Sequence, residues 1–68
     1  TTRQKLLAYF SMLAAKNRSS YFTLPFSQTR LADYICVDRS AMARELRRLC
    51  DEGVLEIDRR NVKLIRGA

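Results

Sequence analysis

The chain has 68 residues, which is enough for one small domain with a single hydrophobic core and too few for a second domain. It carries 13 Lys and Arg against 7 Asp and Glu, a net charge of +6, and arginine outnumbers lysine. This balance favours a nucleic-acid partner. Since the sequence contains neither a run of about 18 apolar residues nor an apolar leader, we expect a soluble, cytoplasmic domain with no membrane partner.

The residues that enzymes and metal sites use are scarce. The sequence has no histidine, no pairing of a nucleophile with a base and no glycine-rich phosphate loop. Cys36 and Cys50 have no nearby residues to complete a zinc site. We expect both to be small buried hydrophobic residues, with one exposed thiol or a redox switch as the alternatives. The sequence predicts neither catalysis nor a metal site, and no cofactor for this domain.

The first predicted element is an amphipathic helix within residues 1–17. Thr2 is the candidate cap at its start, and the alternative is a chain cut from a longer protein within this helix. Apolar residues recur there at helical spacing, and two more widen the stripe. The stripe comprises Leu6, Leu7, Phe10, Leu13 and Ala14, widened by Tyr9 and Met12. A polar loop follows over residues 16–20.

Residues 21–26 alternate between polar and apolar, which is the period of a half-buried strand. Pro25 either ends the strand's pairing or places the strand at an edge. Ser27 then predicts the start of a short helix over residues 28–35. The buried side of the strand would be Phe22, Leu24 and Phe26, and that of the helix Leu31, Ala32 and Ile35.

The most strongly two-sided segment is the helix predicted for Arg39 to Glu52. Asp38 is a good N-cap, and Gly53 can adopt the left-handed conformation that ends a helix. Its buried stripe would be Met42, Leu46 and Leu49 with Cys50 beside them, and its opposite face Ser40, Arg44 and Arg47. Since Glu45 is the only acid between Arg39 and Cys50, we expect this cationic face to stay unpaired and to bind an external anion.

The order of the elements predicts a winged helix-turn-helix. Only Cys36 and Val37 join the second and third helices, so the two must cross steeply, with Cys36 at the usual place of a glycine and Val37 filling the angle. Two β-rich runs, VLEID and NVKLI, follow Gly53 as a hairpin whose turn spans residues 58–61, with Asn61 as its left-handed residue. The predicted fold is therefore mainly α with a small antiparallel β-sheet, in the order helix, strand, helix, helix, β-hairpin wing.

Residues 22–57, FTLPFSQTRLADYICVDRSAMARELRRLCDEGVLEI, resemble the C-terminal DNA-binding domain of the Crp/Fnr family of bacterial transcription regulators. The resemblance depends on the Leu24–Pro25 dipeptide, the LADY run, the DRSAMAREL run and the EGVLEI exit, in this order and spacing. It implies that residues 1–68 are one winged-helix domain excised from a larger regulator with an N-terminal cyclic-nucleotide-binding-like sensor. The implied partners are a palindromic duplex operator, a second copy of the parent protein and RNA polymerase.

The resemblance also implies which residues contact DNA. In the family, the recognition helix begins with Arg-Glu, and Ser or Gly followed by Arg comes three and four positions after the Glu. Arg39 and Arg44 match this pattern, whereas Ser40 replaces the Glu and Ala43 replaces the Ser or Gly. We expect base contacts from these four residues. Because the Glu is the family's acceptor toward cytosine, we also expect a different target sequence.

Backbone contacts are predicted at both ends of the helix-turn-helix and at the wing. They comprise Ser27, Thr29, Arg47, Arg48, Arg59 and Arg60. For Ser27 the alternative is a helix cap alone. For the face of Ser40, Arg44 and Arg47, for Arg48 and for the two wing arginines, the alternative is simple solvation. The alternative function is a winged-helix module that binds another protein instead of DNA. Such a module predicts a neutral or apolar exposed helix face and little dependence of binding on salt.

Overall fold

The computed structural model describes residues 1–65 and confirms the predicted order of elements. Three helices and three strands follow one another as α1 (Thr2–Asn17), β1 (Tyr21–Thr23), α2 (Gln28–Tyr34), α3 (Arg39–Asp51), β2 (Leu55–Asp58) and β3 (Asn61–Leu64). The strands form one antiparallel sheet in the order β1-β3-β2. This is a winged helix-turn-helix, in which α2 and α3 form the helix-turn-helix and the β2–β3 hairpin forms the wing.

Strand β3 lies at the centre of the sheet because it pairs on both sides. Val62 is opposite Phe22 of β1 and Ile57 of β2. Strand β1 ends at Thr23 and is three residues shorter than predicted, since Pro25 has no N–H to donate to the ladder. The Leu24 N–H makes one further bond, 2.7 Å to the Arg60 carbonyl oxygen. Pairing therefore ends just before the proline, and the wing turn is tied to β1.

All six elements or their flanks contribute to a single core, and the predicted phases of the helices are confirmed. Met12 is the exception, since its side chain is 51% exposed although we expected it to widen the stripe of α1. Ile35 and Phe26 lie at the core's margin, where they are partly buried. The buried apolar residues of the core are Leu6, Phe10, Leu13, Phe22, Leu24, Leu31, Ala32, Met42, Leu46, Leu49, Leu55 and Val62.

Two of the three predicted helix caps are confirmed. Ser27 Oγ accepts from the Arg30 N–H at 3.3 Å, and Asp38 Oδ2 accepts from the Ala41 N–H at 3.0 Å. The prediction of Thr2 as the cap of α1 is wrong, because Thr1 forms a reciprocal capping box with Gln4. The N-cap is the residue just before the first helical one, and its side chain accepts from the free N–H groups of the first turn. Thr2 is already helical, so Thr1 is the cap.

The ends of α2 and α3 differ from the predictions by one residue each, and α1 extends through Asn17, which is two residues into the predicted loop. Helix α2 ends at Tyr34 and α3 at Asp51, with Ile35 and Glu52 as the C-caps. Gly53 has φ +75°, as predicted for the residue that follows α3.

The left-handed residue is the predicted one in the turn between α2 and α3, but not in the wing turn. Cys36 has φ 59°, so it adopts the left-handed conformation for which a glycine is usual. Val37 packs against the core, and its N–H donates to the Ala32 carbonyl at 3.0 Å. In the wing, Arg59 and not Asn61 is left-handed, with φ 57°, because Asn61 already pairs with Thr23 and Asp58 in the sheet.

Candidate nucleic-acid interface

One face of α3 is exposed along its whole length, and it carries the residues predicted to contact bases. Ser40, Ala43, Arg44 and Arg47 lie at positions i, i+3, i+4 and i+7, so their side chains share one side of the helix, and all four are exposed. The opposite side packs against α1, α2 and β2. The core therefore fixes which side of α3 a partner can reach.

Arg39, in the first turn of α3, is exposed but paired. Its Nη2 lies 3.4 Å from Asp33 Oδ2 of α2, and the two side chains are 63% and 67% exposed. Counting the charges within α3 alone could not reveal this pairing. The acid comes from α2 across the helix-turn-helix bend and so lies outside the segment whose charges were compared. Water surrounds the pair, which can exchange Asp33 for another anion at a cost of at most about 1 kcal/mol.

Arg48 is paired as well, on the side of α3 that faces the first turn of α1. Its Nη1 lies 3.4 Å from Glu45 Oε1 one turn earlier. The other oxygen of that carboxylate, Oε2, is buried and lies 3.8 Å from Arg3 Nη1, which is too far for a hydrogen bond. Glu45 thus neutralises cations at the margin of α3 and not on its exposed face.

Arg44 and Arg47 are the cations of α3 that have no ion pair within residues 1–65. Arg44 also borders an open cleft of about 520 Å³ between α3 and the first turn of α1, whose lining includes Arg3 and Arg48. Two uncompensated guanidinium groups one turn apart on an exposed helix face can hold an anionic partner by charge and by forked hydrogen bonds.

Arg3 is a residue that sequence analysis missed. Its guanidinium forms a two-pronged ion pair with Glu52, with contacts of 2.9 and 2.5 Å, which joins α1 to the end of α3. Hydrogen bonding to Glu52 raises the pKa of Arg3 above its ordinary value. The two residues lie 49 positions apart, so no local pattern could have predicted the contact.

The start of α2 lies beside the tip of the wing. Gln28 Nε2 donates to the Arg59 carbonyl oxygen at 2.7 Å, and Gln28 lies between the exposed residues Ser27 and Thr29. Arg59 and Arg60 are exposed at the wing turn. The structure thus brings together two predicted groups of backbone contacts that are about 30 residues apart in the chain. Sequence analysis did not single out Gln28, which is partly buried, since a glutamine in the first turn of a helix has no pattern of its own.

The prediction that both cysteines are buried is wrong. Cys36 is exposed, and Cys50 is partly buried at the edge of the core. Cys36 has a left-handed backbone at the corner between two helices, where it is exposed to solvent. Residues 1–65 contain no group of three or more His, Cys, Asp or Glu that could hold a metal ion. No helix in that range is long and apolar enough to cross a membrane.

A comparison with family models gives one match. The model described as the Crp-like helix-turn-helix domain matches residues 4–66, which is nearly the whole chain. No curated protein and no solved structure matches the chain. The matched segment includes both helices of the helix-turn-helix, the exposed face of α3 and the wing.

Proposed function

Because the chain belongs to the Crp-like helix-turn-helix family, whose members are DNA-binding and not enzymatic, we propose that it binds duplex DNA sequence-specifically with α3 in the major groove. The observation that carries this proposal is the exposed face of α3. Arg44 and Arg47 stand there with no ion pair in the described part of the chain. A protein-binding winged helix would favour a neutral or apolar face at this position.

Base contacts in this proposal come from the first two turns of α3. Arg44 is the main one, since an exposed guanidinium can form a bidentate pair with N7 and O6 of a guanine. Arg39 reaches a base after exchanging Asp33 for DNA. Ser40 and Ala43 lie between them on the same exposed side and would contact base edges through a hydroxyl and a methyl group.

Contacts to the DNA backbone surround this centre. Ser27 and Thr29 offer hydroxyl groups and the free N–H groups that open α2. The four arginines that contribute charge are Arg47, Arg48, Arg59 and Arg60. These contacts would set the register of the domain on the duplex without reading its sequence.

The target sequence should differ from those of family members that carry the usual glutamate. Ser40 occupies the position of that glutamate and cannot supply a carboxylate to accept from cytosine N4. A hydroxyl can donate as well as accept, so Ser40 should discriminate weakly among bases. We infer that Arg44 and Arg39 carry most of the specificity.

We further propose that residues 1–68 are the DNA-binding domain of a Crp/Fnr-type bacterial regulator that acts in the cytoplasm. One helix-turn-helix covers one half-site, and a two-fold dimer places two such helices about 34–36 Å apart on one side of the duplex. The parent protein would therefore be a homodimer on a palindromic operator, with an N-terminal cyclic-nucleotide-binding-like sensor domain and RNA polymerase as a further partner.

The experiment that tests DNA binding is a titration of duplex DNA at several salt concentrations. Each neutralised phosphate contributes about −0.9 to the slope of log K against log salt, so the four backbone arginines predict a slope of about −3.6. Arg60→Ala should make the slope shallower by about 0.9. Lys16→Ala removes a charge from the last turn of α1, which contributes none of the proposed contacts, and serves as the matched control. A slope near zero would refute DNA binding and favour a protein-binding module.

A further inference from the structure

The wing turn is short and has an unusual residue at its left-handed position. Only Arg59 and Arg60 separate β2 from β3, and Arg59 has φ 57°. Two-residue hairpins of the favoured types need positive φ at this first position, where glycine, asparagine or aspartate is usual. A residue with a Cβ atom pays about 1–2 kcal/mol for that conformation. The turn therefore depends on contacts from outside the hairpin.

Two such contacts hold the turn, and both use backbone carbonyl groups. The Leu24 N–H donates to the Arg60 carbonyl at 2.7 Å, and Gln28 Nε2 donates to the Arg59 carbonyl at the same distance. The first contact is available to any residue with an N–H at position 24. The second needs a side chain of the right length that carries a donor. Gln28 is therefore the side chain whose identity matters for holding the Arg59 carbonyl.

We propose that Gln28 is a positioning residue that holds the wing tip against the start of α2, an inference that rests on the proposed DNA-binding function. Its hydrogen bond fixes where Arg59 and Arg60 stand relative to Ser27 and Thr29. The wing arginines then meet the duplex already ordered, and less conformational freedom is lost on binding. Gln28 acts through the wing and need not touch DNA itself.

Because Gln28 donates to a backbone carbonyl, its positioning role can be tested separately from the charges of the wing arginines. Replacing Arg59 and Arg60 with alanine removes both guanidinium groups but keeps both carbonyl oxygens and the Cβ atom at the left-handed position. The anchoring hydrogen bond can thus persist when the contacts that it positions are gone. A double-mutant cycle between Gln28 and the wing arginines isolates the coupling.

The experiment measures duplex binding by the full chain and by Gln28→Met, each with and without Arg59→Ala and Arg60→Ala. Methionine keeps the length of the side chain but cannot donate. A lost hydrogen bond of ordinary strength predicts affinity about 2- to 10-fold lower when the wing arginines are present. We expect no further loss when they are absent. Gln28→Asn, which withdraws the amide by one methylene, should behave like Gln28→Met, and thermal unfolding checks that both variants fold.

A second measurement does not depend on DNA. Exchange of the Leu24 amide hydrogen reports whether the wing tip is docked, since its acceptor is the Arg60 carbonyl. Gln28→Met should speed this exchange by about 2- to 10-fold. Unchanged exchange, unchanged affinity, or an affinity loss of equal size in both wing backgrounds would each overturn the proposal. A wild-type chain that fails to bind duplex DNA would refute the proposed function, while the exchange measurement would still test the anchor.

Discussion

Replacing Arg44 with alanine tests whether α3 reads bases. Arg44 is exposed and makes no ion pair within residues 1–65, so its removal leaves no buried group unsatisfied. Substitutions at such surface positions change the free energy of unfolding by no more than about 0.5 kcal/mol. Any large loss of DNA affinity in Arg44→Ala will therefore come from the interface and not from the fold.

The size of that loss follows from the contact. A bidentate arginine–guanine pair contributes about 1–3 kcal/mol of discrimination, which corresponds to about 5- to 150-fold in affinity. We expect this loss of affinity on the preferred site. On random duplex we expect a much smaller loss, because Arg44→Ala removes only one phosphate contact there. Arg39→Ala should lose less than Arg44→Ala on the preferred site, because Arg39 gives up its pairing with Asp33 before it binds DNA.

The assay begins with selection of preferred sites from a library of randomised duplexes. Fluorescence anisotropy then compares the selected site with a scrambled one at fixed salt, with Lys16→Ala as the control for loss of one positive charge. An equal loss on both duplexes would mean that Arg44 contacts only phosphate. Unchanged affinity on both would remove the centre of α3 from the interface.

Two further predictions concern the core and the Arg39 ion pair. Leu46 is 4% exposed and lies on the buried side of α3, so Leu46→Ala should cost about 2–5 kcal/mol of a total stability of about 3–10 kcal/mol, measured by urea unfolding. Met12→Ala on α1, where the side chain is 51% exposed, is the matched control, and equal effects of the two changes would show that the phase of α3 is wrong. Asp33→Ala should leave stability unchanged and raise duplex affinity by up to about fivefold, because Arg39 is then free and one acidic group is gone. A fall in affinity would mean that Asp33 orients Arg39 for binding.

The sequence was informative wherever a periodic pattern decides which side of an element is buried. The apolar residues of α3 repeat with the helical period, and the exposed arginines are among the residues outside that stripe. The wing strands were predictable for the same reason, since Leu55 and Ile57, and Val62 and Leu64, alternate with polar residues. Burial of one face is a local consequence of spacing, so it can be read without knowing what packs against it.

Pairing between elements could not be predicted in this way. The Asp33–Arg39, Arg3–Glu52 and Gln28–Arg59 contacts all cross between elements. Each depends on how two faces meet, which spacing within one element does not specify. The outcome changes the site: Arg39 is paired, whereas Arg44 is not. The charge balance within α3 alone cannot distinguish these two arginines.

The conformations of two turns could not be predicted from the residues in those turns. Cys36 and Arg59 both adopt left-handed φ values without being glycine, and each receives a hydrogen bond from a distant side chain. Lys5 Nζ donates to the Cys36 carbonyl at 3.4 Å, and Gln28 Nε2 donates to the Arg59 carbonyl at 2.7 Å. One turn sets the angle between α2 and α3, and the other sets the position of the wing. The relative placement of the two DNA-contacting parts therefore depends on tertiary hydrogen bonds to carbonyl groups, which no preference of the turn residues themselves encodes.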